Sequence, residues 1–240
     1  MKKFHKAILI IHGFAGGTYD QDSLANYLEL RRNFDVYRFT LPGHDVKDSK
    51  LATCEEWITT SENHLKYLID NGYKEIYLIG HSMGGVIATY LSTKYKEVKK
   101  LVLAAPAFTT FASKEEGGLL NAVSKSPDLL KAYSSSEFFT RLTKLPISSL
   151  KEFNLLTDRY KEYSKEINVP VLFLNGSIDQ IVPIEFTEKL YDELETREKE
   201  FITINDYYHD LFKGEKVDSI NKLIEEFLRK RKIKEKKTTI

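Results

Sequence analysis

Short apolar runs recur along the chain at residues 7–11, 36–39, 76–79, 101–105, 171–174 and, less purely, 201–204. Runs without polar alternation suit strands covered on both faces, as in parallel sheets. Between them the hydrophobic period changes to that of a helix. Ile220, Leu223, Ile224, Phe227 and Leu228 fall at i, i+3, i+4, i+7 and i+8, an apolar stripe on one face. Phe186, Leu190 and Leu194 repeat every fourth residue after Pro183, and proline is favoured at a helix start. Residues 23–30, 54–69 and 83–96 also read as helices. Strand and helix alternate, which predicts an α/β fold built on a doubly wound, mainly parallel sheet.

One interval breaks the rhythm. Residues 106–168 separate two strands where a crossover needs about a dozen residues. The last part, with Phe153, Leu156, Tyr160, Tyr163 and Ile167 at steps of three and four, reads as the crossover helix. Residues 107–148 are expected to form a small helical cap of two or three short helices, inserted in a single domain spanning 1–240. Loops at strand C-termini build the sites of α/β folds, so a cap there suits substrate binding.

Charge changes the picture of partners. The 240 residues hold 36 Lys and Arg against 35 Asp and Glu, a net +1, yet residues 229–240 carry seven Lys and Arg against Glu235 alone. That tail is net +6 and leaves the body at −5. A mildly acidic body excludes a domain-wide nucleic-acid surface, so no nucleic-acid partner is expected. The basic run reads as cations at the C-terminus of a helix over 217–228, where the helix dipole favours them, followed by a solvated end. Without an apolar face or acyl chain such a run binds anionic lipid weakly, so no stable membrane insertion is expected. Residues 76–93 lack charge for 18 positions, the length of a membrane span, but Gly80, Ser82, Gly84 and Gly85 in the middle read as a strand, a turn and a helix. At the N-terminus the apolar run over 7–11 is too short for an export signal. A single cysteine, Cys54, forbids an internal disulfide and is compatible with a reducing compartment, so the expected location is cytoplasmic. Cys54 and Trp57, on one predicted helix, read as packing residues.

The chemistry lies in Gly80-His81-Ser82-Met83-Gly84, a G-x-S-x-G sequence between a predicted strand and a predicted helix. A turn that tight lifts the serine hydroxyl above the sheet. Serine needs a general base held by an acid. Of six histidines, His5, His12, His44, His64 and His81 fall in the N-terminal segment, early loops, a helix or beside the serine itself, and only His209 follows the last predicted strand. Asp179 sits in the turn-rich loop after the strand over 171–174 and fits the Ser, Asp, His chain order. Asp206 and Asp210 are nearer in sequence, but loop residues one to three positions apart seldom aim side chains at each other. For an oxyanion hole, Met83 follows the nucleophile and Phe14 follows His12-Gly13 in the loop after the first strand. Their backbone N–H groups are the expected donors, with the Phe14 ring lining an acyl pocket. No His or Cys spacing suits a metal and no phosphate-binding glycine loop occurs, so no cofactor or metal is implied.

These residues resemble the α/β-hydrolase family, and more narrowly its small bacterial carboxylesterases and monoacylglycerol-lipase-like members. The resemblance runs through His12-Gly13-Phe14, Leu41-Pro42-Gly43-His44, Gly80 to Gly85, Gly176 to Asp179 with Val182-Pro183, and His209-Asp210-Leu211. It departs at Tyr208, where many members carry glycine. It implies about six strands, the family's first two being absent, with Ser82, Asp179 and His209 as triad and Phe14 and Met83 as oxyanion hole. The expected activity is hydrolysis of small carboxylic esters of short to medium acyl chain through an acyl-enzyme. Alternatives are a monoacylglycerol lipase or an acyl thioesterase, for which Lys114, Lys125, Lys131 and Lys144 in the cap would meet phosphates, and, from another class, a non-catalytic binding module.

Overall fold

Seven strands, all parallel, pair in the order β2-β1-β3-β4-β5-β6-β7. A computed structural model describes residues 5–44, 50–108, 145–179 and 181–240. The strands are β1 (Lys6–Ile11), β2 (Asp35–Arg38), β3 (Glu75–His81), β4 (Val98–Ala104), β5 (Val171–Gly176), β6 (Lys199–Ile204) and β7 (Lys236–Thr239). The helices among the described residues are α1 (Asp22–Leu30), α2 (Cys54–Asp70), α3 (Met83–Lys94), α4 (Ile147–Tyr160), α5 (Ile184–Glu193) and α6 (Val217–Arg229), and a 3-10 turn (Lys161–Glu166) continues α4. Residues 109–144 of the expected cap, with Lys114, Lys125, Lys131 and Lys144, lie outside the described residues.

Side chains alternate across each strand and feed two cores. Ala7, Leu9 and Ile11 of β1 join Trp57 of α2, Val86 and Leu91 of α3, Phe153 of α4 and Leu190 of α5. Ile8 and Ile10 face the other way, toward Leu24 and Leu28 of α1 and Ile220, Ile224 and Phe227 of α6. Burial on both faces is why the strands between the two edges read as apolar runs, whereas β2, at one edge, is only half-buried.

The C-terminal tail adds one strand to the six or so expected, and although its residues stay largely exposed it is paired along the sheet rather than loose. Residues Lys236–Thr239 lie against β6 as β7, and Ile240 N–H continues the ladder to the Thr203 carbonyl at 2.9 Å. An open strand edge offers unpaired backbone groups, and the tail satisfies them. Ile233 is buried beneath this turn. The tail lysines find carboxylates: Lys230 Nζ bonds both oxygens of Glu200 at 2.7 and 2.8 Å, and Lys237 reaches Asp192 at 2.8 Å. Arg229 lies in the last turn of α6 as expected, and a second cation comes from a strand. Lys100 of β4 donates to the carbonyls of Phe227 and Leu228 at 2.8 and 2.9 Å and also to that of Lys230. Burial, with Lys6 and Lys230 nearby, pushes the Lys100 ammonium down to about 8.

Candidate active site

The strand order reverses between β1 and β3, and in open α/β sheets the crevice at such a switch point, outside the strand C-termini, is where ligands bind. The loop after β1 and the turn after β3 both open there. Ser82 stands between β3 and α3 with φ +52° and ψ −119°, a left-handed strained conformation. The turn is held on both sides. Ser82 N–H donates to the Ala104 carbonyl at 2.9 Å, and its own carbonyl accepts from Gly85 at 2.9 Å and Ala107 at 3.1 Å. Glycine is required around it by contact. A Cβ on Gly80 would fall 2.3 Å from the Gly84 carbonyl oxygen, and one on Gly84 would fall 2.2 Å from that of Ile11.

Asp179 and His209 arrive from the loops after β5 and β6 and are both buried. His209 Nδ1 lies 2.8 Å from Asp179 Oδ2. The other carboxylate oxygen, Oδ1, accepts the N–H groups of Ile181 and Val182, both at 2.9 Å, so the carboxylate is fixed before it meets the ring. A carboxylate only accepts, so Nδ1 carries the proton and Nε2 is left as the basic nitrogen. Burial opposes a charge on His209, but the Asp179 charge and hydrogen bond, helped by Asp210, outweigh it, and its pKa lies above 6.5. Asp206 is exposed and makes its bonds to Asn205 and Ser177, away from the ring. Tyr208 is 45% exposed, and the left-handed residue of this loop is Asp206 (φ +51°), which is how the chain turns without glycine at 208.

Met83 is the first residue of α3, so its N–H belongs to the donors a helix leaves unpaired. Gly13 brings the β1 loop against the nucleophile: a Cβ there would lie 3.0 Å from Ser82 Cβ. Phe14 is 3% exposed and its ring packs against Trp57, Phe153 and His44, with centroids 6.2, 5.4 and 5.6 Å away. Aromatic burial here anchors the loop that presents the Phe14 N–H.

Known proteins share this sequence pattern and fold. Residues 6–121 match the family described as alpha/beta hydrolase fold, and residues 109–216 match that described as Serine aminopeptidase, S33. A carboxylesterase of Bacillus subtilis is 25% identical over 94% of this chain and 93% of its own length. A thermostable monoacylglycerol lipase of Bacillus sp. is 25% identical over 84% and 82%. The monoacylglycerol lipase structure of Paleococcus ferrophilus superposes with a TM-score of 0.71 at 22% identity, covering 92% of this chain and 93% of that one. Between them the two matches span residues 6–216, and the chain has the α/β-hydrolase fold.

Two histidines that sequence reasoning left in early loops brace this hydrolase's β1 loop. His12 Nε2 accepts the Leu41 N–H at 2.9 Å and its Nδ1 donates to the Gly13 carbonyl at 2.8 Å, which fixes a neutral tautomer. Burial, with His44 beside it, pushes His12 down to about 3. His44, whose Nδ1 bonds the Pro42 carbonyl at 3.0 Å, is pushed down to about 4 by burial. Trp57 Nε1 donates to the same carbonyl at 2.9 Å. The signal for both was their place beside glycine in His-Gly and Gly-His pairs. Cys54 is buried, as expected of a packing residue. It forms with Glu55 and Glu152 a trio whose ligand atoms lie within 4.8 Å, but Arg159 pairs with Glu55 and approaches Cys54 Sγ at 3.9 Å, so an arginine already serves that charge. No helix among the described residues is long and apolar enough to cross a membrane.

Proposed function

We propose that this hydrolase cleaves small carboxylic esters of short to medium acyl chain through an acyl-enzyme on Ser82. The observation that carries the proposal is the buried 2.8 Å bond from His209 Nδ1 to Asp179, beside a serine held in a strained strand-to-helix turn. Ser82 Oγ attacks the ester carbonyl as His209 Nε2 takes its proton, and Asp179 stabilises the imidazolium that forms. The N–H groups of Phe14 and Met83 receive the oxyanion. His209 then protonates the departing alkoxide, and a water activated by the same nitrogen releases the acid and regenerates Ser82. None of these steps calls on a metal or cofactor.

Residues 107–148 are proposed to cover this site as a cap within one domain. A groove of about 220 Å³ runs from Pro106 and Phe108 to Phe186 and Leu190 of α5, but Lys161, Glu162, Lys165, Lys189 and Glu193 also line it and none of the proposed site residues does, so it is a surface groove apart from the proposed site. The monoacylglycerol lipase among the relatives favours a monoglyceride as second reading.

Ser82→Ala is expected to abolish turnover of p-nitrophenyl butyrate and labelling by a fluorophosphonate probe, with the fold retained by circular dichroism. Turnover near wild type would refute the assignment, and a wild-type protein that the probe does not label would favour a binding module. A chain-length series of p-nitrophenyl and glyceryl esters separates the two substrate readings, and a matched acyl-CoA tests the thioesterase alternative.

A further inference from the structure

His81 stands immediately before Ser82, at the end of β3, and the proposed mechanism gives it no task. It is nonetheless buried, 6% exposed, and touches both the β1 loop and the loop that carries His209. Its Nε2 lies 3.1 Å from the His209 carbonyl oxygen. A carbonyl only accepts, so Nε2 carries the proton and donates. Its Nδ1 faces the β1 loop, where a Cβ on Gly13 would lie 3.3 Å away. Its ring sits 5.0 Å from the His209 ring and edge-on to Phe212 at 5.7 Å.

The two donors on the His209 carbonyl differ in kind. Leu211 N–H, at 3.0 Å, belongs to the same loop and moves with it. His81 belongs to the strand that carries the nucleophile. Asp179 holds the far side of the imidazole, but a bond to Nδ1 alone leaves the ring free to rock about that contact. Tying the backbone of His209 to β3 removes this freedom and sets where Nε2 stands relative to Ser82.

We infer that His81 is a positioning residue which, by donating Nε2–H to the His209 carbonyl, registers the base loop against the nucleophile turn and so sets the rate of the chemical step. The inference rests on the proposed roles of Ser82 and His209. Misplacing a base by about 1 Å costs on the order of 100-fold, so a loose tie should appear in kcat rather than KM.

Three arms test it on the full chain. His81→Leu removes the donor, and kcat for p-nitrophenyl butyrate is expected to fall roughly 10- to 100-fold with KM within about twofold. His81→Gln places an amide N–H where Nε2–H was and is expected to restore most of the loss. In the wild type, 15N NMR is expected to show His81 as the Nε2–H tautomer, a readout that needs no variant to fold. A folded His81→Leu at wild-type kcat, a glutamine variant no better than the leucine one, or an Nδ1–H tautomer would each overturn the inference. Ser82→Ala run alongside keeps the two ideas apart: if it stays active the triad is wrong, whereas a dead Ser82→Ala beside a fully active His81→Leu removes only the role of His81.

Discussion

Asp179 acts on His209 in two ways that a single substitution separates from mere damage. Its charge and hydrogen bond hold the imidazole above 6.5 despite burial. The neutral base is the working form, so kcat/KM should rise with pH through an inflection above 6.5. Asp179→Asn should lower the plateau by roughly 10⁴-fold, because an amide can present the wrong group to Nδ1, and should move the inflection to lower pH. A pH–rate profile checks both, and an inflection that stays in place would reassign the cause of the shift. The same linkage has a sign for stability: a raised folded-state pKa favours the folded state fully below the unfolded value of about 6.5, and that contribution is lost as pH rises through the folded value. Much of this was legible beforehand. Ser82, Asp179 and His209 stand in distinctive turn contexts, and the structure brings Asp179 and His209 into contact. What the sequence hid was the supporting histidines, His12, His44 and His81, because a histidine's partner here is a backbone carbonyl or N–H, which leaves no mark in the residue pattern.

At the scale of elements, the first six strands and the six helices among the described residues follow their hydrophobic period, most ends within three residues and the largest differences at α4. β7 does not. Its Lys-Lys-Thr-Thr sequence has no apolar member, because an edge strand is held by ladder hydrogen bonds and faces solvent. Lysine at an edge is ordinary, so composition pointed toward a loose tail. Lys100 and Lys199 escaped notice for a related reason. Each is a strand residue whose stem lies buried while its ammonium closes the end of a helix; Lys199 reaches the Tyr191 and Leu194 carbonyls at the end of α5, both at 2.8 Å. Lys100→Met keeps the stem and removes the donors at the end of α6. It is expected to destabilise the fold by roughly 1–3 kcal/mol, the cost of leaving buried acceptors unpaired. Thermal unfolding should show a loss of several degrees while kcat stays within about twofold, since the site is at the opposite ends of the strands.

Across the whole molecule part of the uneven charge found in the sequence is met within the fold. The tail's Lys230 and Lys237 close on Glu200 and Asp192, and its Glu235 meets Lys199 at 3.5 Å. Exposed pairs of this kind stabilise little individually, but they direct the tail along the β6 edge. The parallel sheet has another consequence. β4 and β5 are neighbours in space, yet the long interval at 105–170 separates them in the chain. On one side of that interval lie β1 to β4 with Ser82 and the proposed oxyanion donors Phe14 and Met83; on the other lie β5 to β7 with Asp179 and His209, the proposed acid and base. A chain cut between residues 108 and 145 would therefore yield two pieces, one with the proposed nucleophile and oxyanion donors and the other with the proposed proton-transfer pair. Neither should hydrolyse p-nitrophenyl butyrate alone, and mixing them should restore turnover in proportion to the β4–β5 pairing that rejoins them, which makes this sheet a natural split reporter whose signal is its own chemistry.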